Sequence, residues 1–405
     1  MSSTLQAALL SDAFLHCILL LVISMLGLKF LPFSFSNFKT RSLRNTWKQL
    51  TLAHTSSTMQ SQLERAVSAF YHYEQLSLEE IYLMQRTYSK VNRAHKRLGY
   101  EIGYPAKLEQ LKEVTKANAI LTRAIAKMGM GEAGIDDADA LPNGTSIELR
   151  DVREALRHFV RDWSDESIEE RNVVMKPILE VFERVRPERR KTLKVLVPGC
   201  GLGRLAWEIS ELGFASYANE LSSFMNLSLR FLLSPHLTRS TSQHTLHPYA
   251  HWSSHQRTNA NLFRSISFPD VLPRLSNTFK HISGDFLTLG PANSYDFIVT
   301  QFFIDTSYNI ISTIEQIHSL LRPAGTWINL GPLLWRSGGQ AALELSLDEL
   351  VQLVEKIGFI FVTEGKCEEE RKKTRTVECE YTADREAMMR WIYKAEFWVA
   401  EKKAT

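Results

Sequence analysis

The residues whose spacing most directly suggests ligand chemistry lie in one short segment, KVLVPGCGLGR, which starts at Lys194. A short apolar stretch there leads into Gly199, Gly201 and Gly203, and a helical pattern follows. Glycines allow a backbone to turn tightly and to approach a ligand closely. A strand, a glycine loop and a helix in this order therefore predict a binding turn for a nucleotide-like ligand.

Arg204, directly after the third glycine, narrows the choice of ligand. The dinucleotide fingerprint has a glycine or an alanine at the next position, where the helix packs against the strand. No lysine of the Walker type follows the loop. The segment therefore indicates neither the usual dinucleotide turn nor a phosphate cradle.

Two acidic residues lie at the predicted ends of the next two strands. Glu220 follows the loop by about one βαβ spacing, where a carboxylate can accept hydrogen bonds from both hydroxyls of a ribose. Asp285 ends the third strand, where it can accept a hydrogen bond from an adenine amino group. This arrangement matches the layout of class I methyltransferases and predicts S-adenosylmethionine as the cofactor. Capping of the following helices is the alternative role for both acids.

The elements that must position these residues alternate between strands and helices, which implies a mostly parallel sheet covered on both faces. We therefore predict an α/β fold of the Rossmann-like class I methyltransferase type, with a mostly parallel seven-stranded sheet and an N-terminal helical layer. Hydrophobic patterning predicts strands at 195–197, 215–219, 281–283, 297–303, 326–330, 359–363 and 397–402, and helices at 205–212, 224–233, 310–321 and 346–357.

Composition divides the chain into regions. Turn-forming and acidic residues at 129–146 predict a flexible loop between helices. Residues 234–278 are rich in Ser, His, Asn and Pro and predict an insertion without a core element. The predicted regions are a hydrophobic segment at 1–35, a polar linker at 36–62, a helical region at 63–185 and the cofactor-binding domain at 186–405.

The apolar run at residues 13–33 is just long enough to cross a bilayer if His16 and Lys29 are tolerated near its edges. Basic residues follow it, so the positive-inside rule would leave the rest of the chain in the cytosol. Two interpretations stay open: a membrane anchor, and a buried or amphipathic helix without catalytic importance. The catalytic part is expected in the cytoplasm, and the nucleus stays open as a second location.

Bulk composition excludes several kinds of partner. The chain has 405 residues and a net charge of only +3, which does not favour nucleic acid. Its four cysteines form no CxxC pair, so we expect neither a disulfide framework nor a zinc site. Histidines at 244, 247, 251 and 255 have helical spacing, but Pro248 interrupts it, and no metal is expected. A small-molecule substrate is expected, and a homo-oligomer stays open.

Six segments carry a resemblance to a known family: VRDWSDESIEERN (160–172), VPGCGLGRLAWEISELGF (197–214), ANE (218–220), SGDF (283–286), QFFIDTSYNI (301–310) and LRPAGTWINLGPLLW (321–335). They are similar to the carnosine N-methyltransferases, also called the N2227-like family. The similarity extends over roughly residues 66–402. It implies an S-adenosylmethionine-dependent N-methyltransferase.

The resemblance implies roles for individual residues. Asp305 matches the acid that holds the substrate imidazole, and Tyr381 matches a tyrosine that contacts the substrate. His158 stands where the family has glutamine, whereas Arg161 keeps an arginine that suits the cofactor's carboxylate, because a guanidinium can pair with it at two points. The other positions that the resemblance assigns to the cofactor are Gly199, Glu220, Asp285, Phe286 and Gln301.

Arg336 departs from the family at a position that would face the substrate. After GPLL the family has an aromatic residue and then a histidine, whereas this chain has Trp335 and Arg336. An arginine binds a carboxylate well but cannot accept a proton, because it stays charged. Three explanations stay open: a substrate other than carnosine, a shifted local alignment, or weakened catalysis.

The predicted chemistry is transfer of a methyl group from a sulfonium to a nitrogen, which requires alignment of the reactants and exclusion of water. An imidazole nitrogen attacks only when neutral, and Asp305 would fix its tautomer by accepting the other N–H. We predict methylation of carnosine to anserine, or of a related histidine-containing small molecule. The alternatives are another small-molecule or secondary-metabolite substrate and a non-catalytic cofactor-binding homologue; for Asp305, the alternative is a helix cap.

Overall fold

A mostly parallel sheet forms the centre of the fold, and the computed structural model describes residues 60–335, 341–363 and 372–404. Two short strands, numbered β3 and β4, pair antiparallel with each other outside this sheet. In chain order the strands are β1 (Lys194–Pro198), β2 (Ala215–Glu220), β3 (His244–Leu246), β4 (Ile266–Phe268), β5 (Phe279–Ser283), β6 (Tyr295–Gln301), β7 (Leu321–Gly331), β8 (Phe359–Phe361), β9 (Arg375–Cys379) and β10 (Tyr393–Lys402).

The strand order in the main sheet is β5-β2-β1-β6-β7-β10-β8, and β9 pairs with the first half of β10. The five strands from β5 to β7 are parallel, and β10 runs antiparallel to its neighbours. The predicted seven-stranded, mostly parallel sheet of class I methyltransferase type is therefore confirmed. β9 is an additional strand that the hydrophobic pattern did not indicate, because only Cys379 in it is buried.

Helices cover the sheet, and the four that were predicted after β1 begin within one residue of their predicted positions. Residues 60–71 form α1, so the last three residues of the predicted linker are helical. The other helices are α2 (Tyr73–Ser89), α3 (Arg93–Glu101), α4 (Tyr104–Ala133), α5 (Ser146–Trp163), α6 (Ile168–Glu183), α7 (Pro187–Arg190), α8 (Arg204–Glu211), α9 (Ser223–Leu233), α10 (Asn259–Leu262), α11 (Ile310–Leu320) and α12 (Leu347–Ile357).

The helical region packs directly on the sheet and shares its hydrophobic core. Phe70 of α1 and Phe159 of α5 are fully buried in the same cluster as Val195 of β1 and Phe231 of α9. Burial of an aromatic side chain is worth roughly 1.5–3 kcal/mol, so this shared core ties the two regions together. The described residues accordingly form one compact unit.

The end of α4 differs from the predicted loop at 129–146. The helix continues through Gly129 to Ala133 and ends where Gly134 adopts a left-handed φ of 68°. A Cβ on Gly129 would lie 2.6 Å from Val67 and 2.8 Å from Leu227, so glycine allows α4 to approach α1 and α9 closely. The loop prediction was therefore wrong at 129–133, since these glycine-rich residues pack within a helix.

The insertion at 234–278 contributes to the core, contrary to the expectation from its composition. It contains β3, β4 and α10, and it buries Tyr249 and Phe268. Asp270 accepts hydrogen bonds from Arg204 at 2.7 Å and from Arg171 at 2.7 Å, and all three side chains are almost completely buried. Asp270 therefore joins the insertion to α6 through Arg171 and to α8 through Arg204.

The predicted N-terminal segment at 1–35, with its apolar run at 13–33, lies outside the described residues, as does the linker up to residue 59. Among the residues that are described, no helix combines the length and the apolar character needed to cross a bilayer.

Candidate active site

The glycine loop joins β1 to α8 in the conformation that its sequence requires. Gly199, Gly201 and Gly203 all have positive φ, at 60°, 57° and 77°. A Cβ on Gly199 would overlap the ring of Phe303, which follows β6. Residues with side chains rarely adopt this conformation, so the glycines fix the turn. The loop therefore lies directly beside the end of β6.

Glu220, at the end of β2, fixes the glycine loop through hydrogen bonds. Its carboxylate accepts the backbone N–H groups of Gly201 at 2.9 Å, Leu221 at 2.9 Å and Ser222 at 2.8 Å. Burial raises the pKa of Glu220, whereas the three N–H donors oppose this rise. Since each carboxylate oxygen has two acceptor positions, the group keeps capacity for a ligand hydroxyl.

Asp285 and Phe286 follow β5 at the same edge of the sheet. One carboxylate oxygen of Asp285 accepts the backbone N–H of Leu287 at 2.9 Å and caps a short 3-10 turn. The capping role considered for this acid is therefore present, and it uses one of the two oxygens. Phe286 is buried, and its ring packs edge-on against Phe303 at 5.6 Å.

His158 projects from α5 towards the glycine loop and is buried. Its Nδ1 lies 2.9 Å from the backbone carbonyl of Glu154, which places the proton on Nδ1 and leaves Nε2 as an acceptor. Burial lowers the pKa of His158, and the nearby Arg161 lowers it further. The imidazole is therefore neutral near physiological pH. A Cβ on Gly201 would lie 3.5 Å from its ring, so the two residues are neighbours.

Arg161 lies one turn further along α5, and its guanidinium is held by Asp162. Its Nε and Nη2 donate to the two oxygens of that carboxylate at 2.6 and 2.9 Å. Oδ2 of Asp162 also accepts the backbone N–H of Leu202 at 3.3 Å, which links α5 to the glycine loop. Burial would lower the pKa of Arg161, but Asp162 more than offsets it and raises that pKa. Within the described residues, Nη1 is buried without a hydrogen-bond partner.

Tyr381 lies between α5 and the end of β6. Its ring stacks on Phe302 at 4.3 Å, and the guanidinium of Arg161 lies over it at 4.3 Å. Burial raises the pKa of Tyr381 to about 12, despite the opposing effect of Arg161, so the phenol is protonated at physiological pH. Glu170 fixes this segment by accepting the backbone N–H groups of Thr382 at 2.7 Å and Ala383 at 3.2 Å.

Asp305 is buried in a short 3-10 turn just beyond β6, at the carboxyl end of the sheet. Its Oδ2 accepts the backbone N–H of Leu334 at 3.1 Å. Asp305 also contributes to raising the pKa of Tyr393, after the larger effect of burial, so the two side chains are close. The chain reaches this turn through Phe302, whose φ of 50° is uncommon for a residue with a side chain.

Of the two remaining predicted site residues, Gln301 is described by the structure and Arg336 is not. Gln301 is the last residue of β6 and is half-buried beside the glycine loop's strand. Arg336 lies outside the described residues. Its neighbour Trp335 is described, and the indole N–H donates to the carbonyl of Leu345 at 2.8 Å.

The structure brings the predicted residues from α5, β1, β2, β5, β6 and the segment before β10 to one edge of the sheet. Asp162 and Phe302, which hold Arg161 and Tyr381 in place, were not predicted from the sequence. The segment VRDW contained one signal, since an acid directly after Arg161 could have suggested a fixed guanidinium.

The histidine-rich insertion was considered for metal binding, and three of the four histidines named there have side-chain partners within the protein. His244 lies 3.0 Å from Thr238 Oγ1, His247 lies 2.8 Å from the carbonyl of Phe263, and His251 lies 3.1 Å from Thr115 Oγ1. In the part of the chain that the structure describes, no three His, Cys, Asp or Glu side chains are grouped to hold a metal.

Comparison with known proteins shows the family. The family model described as carnosine N-methyltransferase matches residues 139–404. The chain belongs to the carnosine N-methyltransferase family. It is 31% identical over 364 residues to a carnosine N-methyltransferase of Schizosaccharomyces pombe, which covers 83% of this chain and 94% of that relative. The carnosine N-methyltransferase of Mus musculus is 31% identical, covering 84% of this chain and 85% of the relative. That of Dictyostelium discoideum is 30% identical, with 82% and 74% covered.

Membership of the carnosine N-methyltransferase family fits the geometry of the site. The protein is an S-adenosylmethionine-dependent methyltransferase. The residues around the glycine loop suit this cofactor. They offer a carboxylate at the end of β2, a second carboxylate at the end of β5, and a buried guanidinium N–H from α5.

Proposed function

We propose that this protein methylates an imidazole nitrogen of carnosine, giving anserine, or of a related histidine-containing small molecule. The observation that carries the proposal is the buried carboxylate of Asp305 at the carboxyl end of β6. Ligands of open α/β sheets bind at this end of the strands. The packing of Phe303 against Gly199 places the turn that holds Asp305 next to the glycine loop.

Different residues around the glycine loop would bind different parts of the cofactor. Glu220 would accept a ribose hydroxyl, Asp285 the adenine amino group, and Phe286 would pack against the adenine ring. His158, Arg161 and Gln301 would hold the amino-acid end, with Nη1 of Arg161 donating to the carboxylate. When bound, the cofactor supplies an activated methyl group.

Asp305 would bind the substrate through its ring. A carboxylate that accepts the N–H of one imidazole nitrogen leaves the lone pair of the other nitrogen available for attack. The stacked rings of Phe302 and Tyr381, and the ring of Phe303 against Phe286, would exclude water from the reactants. Alignment and exclusion of water are the main contributions that a protein can make to this transfer.

The experiment that tests the proposal measures transfer of labelled methyl groups to carnosine. We expect transfer by the wild-type protein and a fall in kcat/KM of about 10- to 100-fold or more for Asp305→Asn, since a charge-assisted hydrogen bond is lost. Calorimetric titration with S-adenosylmethionine should show unchanged cofactor affinity for this variant. Label transfer to carnosine that is unaffected by Asp305→Asn would refute the role of this residue.

Arg336 favours a second candidate, a different small-molecule substrate. An arginine in place of the family's histidine would suit an additional carboxylate. If the protein binds S-adenosylmethionine but transfers no label to carnosine, a panel of histidine derivatives tests this alternative. A well-folded protein that fails to bind the cofactor in calorimetry would contradict both enzyme proposals.

The apolar run at residues 13–33 supports the further proposal that the chain associates with membranes through its N terminus. The test compares fractionation of the full chain with that of a chain that starts at residue 60. We expect only the full chain to sediment with membranes and to resist extraction by alkaline carbonate. Equal distribution of both chains in the soluble fraction would contradict this proposal.

A further inference from the structure

Helix α5, which carries His158 and Arg161, also lines a cavity beside the candidate active site. Its volume is about 360 Å³, and its lining includes Arg153, Glu154 and Arg157 of α5 together with Trp252 of the insertion. Glu154 and Arg157 precede His158 and Arg161 by one helical turn, which is about 5.4 Å. Residues four apart lie on the same face of a helix. The cavity and the cofactor-facing residues therefore lie along one face of α5.

Two arginines of this cavity retain unused donors. Arg157 donates through Nη2 to the carbonyl of Thr382 at 3.2 Å and to its Oγ1 at 2.8 Å. Arg153 donates through Nη2 to Ser77 at 3.1 Å and to Glu80 at 2.6 Å. In the described chain, the Nε of each arginine is buried and has no hydrogen-bond partner. Buried donors are destabilising until a ligand or a water molecule accepts from them.

The arginines around the cavity each lie near a carboxylate: Arg153 near Glu80 at 2.6 Å, Arg157 near Glu154 at 3.9 Å and Arg150 near Asp151 at 3.9 Å. Recognition of an anion would therefore depend on their unpaired N–H donors and not on an excess of positive charge. The guanidinium of Arg157 lies 4.4 Å above the ring of Trp252, which fixes its plane.

The cavity adjoins the position proposed for the substrate. Thr382, which Arg157 holds, directly follows Tyr381 in the chain. The ring of Phe302 contacts both Tyr381 at 4.3 Å and Tyr393 at 5.5 Å, and Asp305 lies three residues further on. Tyr393 is near both residues, since Asp305 raises its pKa and Arg157 lowers it. A dipeptide with its imidazole at Asp305 can therefore extend towards Arg157.

We propose that this cavity binds the carboxylate of the substrate, with Arg153 and Arg157 as its donors. This inference rests on the proposed function and adds a reason why the enzyme would select substrates that carry a carboxylate. A planar guanidinium binds a carboxylate in a defined orientation, so the two arginines would distinguish a histidine-containing dipeptide from an amine of similar size.

The test compares carnosine with β-alanylhistamine, which is the same molecule without the carboxylate. We expect the wild-type KM to be about 10- to 100-fold lower for carnosine, the range for loss of a charge-assisted hydrogen bond. Arg153→Gln and Arg157→Gln should each bring the ratio of the two KM values closer to one. Arg86→Gln, at an exposed position on α2, is the matched control and should leave the ratio unchanged.

Equal wild-type KM values for the two compounds would overturn the inference and leave the proposed function intact. The same holds if the arginine variants raise both KM values by the same factor, since that result indicates only a structural role. If neither compound is methylated while the cofactor binds, the proposed function fails and this inference fails with it.

Discussion

Arg161 and Asp162 are adjacent in sequence, and their pairing determines what the guanidinium can offer a ligand. The acid occupies Nε and Nη2, so the donor that remains for the cofactor is Nη1. Family resemblance was sufficient to predict Arg161. It gave no role to Asp162, because neighbouring residues in a helix normally point to different faces. Asp162 therefore occupies part of the guanidinium that was expected to pair at two points with the cofactor's carboxylate.

Arg161→Lys should weaken cofactor binding. A lysine cannot pair with Asp162 at two points and still present a donor to the ligand. We expect the Kd for S-adenosylmethionine to rise by about 10-fold or more, the cost of one hydrogen bond to a charged group. Titration calorimetry measures this change. Arg65→Lys, at an exposed ion pair with Glu148, is the control, and an unchanged Kd for Arg161→Lys would show that Nη1 is not used.

The strands of the sheet and the helices that cover it could be predicted because the sequence of each has a clear hydrophobic periodicity. β1, β2 and β6 are short apolar runs whose ends carry Gly199, Glu220 and Gln301. The end of α4 and the strand β9 could not be predicted in this way. Glycine at 129 is typical of a turn, yet here it allows close packing of helices, and that role depends on residues distant in sequence. β9 lacks a buried face and is defined only by its pairing with β10.

Gly129→Ala and Gly131→Ala form a matched pair that tests the packing of α4. A Cβ at residue 129 would clash with Val67 and Leu227, whereas a Cβ at residue 131 would meet nothing within 4 Å. We expect Gly129→Ala to lower the free energy of unfolding by about 1–3 kcal/mol. Gly131→Ala should raise it by about 0.5–1 kcal/mol through helix propensity. Chemical denaturation measures both, and similar effects for the two variants would contradict the packing described for α4.

Contacts between distant segments join the insertion to the segment that carries Tyr381. Asp384 accepts hydrogen bonds from Gln256 at 2.6 Å and from Arg264 at 2.7 Å, and the Met388 N–H donates to the carbonyl of His255 at 2.6 Å. These pairs are more than 100 residues apart, so local sequence patterns carry no signal for them. The insertion consequently supports the segment that carries Tyr381, although its composition predicted an insertion without a core element.

Histidines buried in the neutral form should make the whole molecule sensitive to acid. Burial lowers the pKa of His251 to about 3 and that of His281 to about 4, with smaller contributions from nearby arginines. An unfolded chain binds these protons near pH 6.5, whereas the folded chain binds them only at lower pH. The free energy of unfolding should therefore fall as the pH drops from about 6.5 towards 4.

His251→Gln should reduce this acid sensitivity. Between about pH 7 and pH 5, the wild-type protein should lose roughly 1–2 kcal/mol of unfolding free energy through His251, whose side chain is only 9% exposed. Urea denaturation at the two pH values should show a smaller difference for the variant. His236→Gln, at an exposed position, is the control. The same pH difference in His251→Gln and in the wild type would show that this histidine does not contribute.

The hydrogen bond from Leu202 to Asp162 has a thermodynamic consequence for how each ligand affects the binding of the other. It ties the glycine loop to α5, the helix that also carries Arg157 and, through Thr382, supports Tyr381. Any cofactor-induced shift of the loop would move the substrate-facing side of the same rigid helix. Binding of the two ligands should therefore be cooperative, and by linkage the factor by which the cofactor improves substrate affinity must equal the factor in the reverse direction.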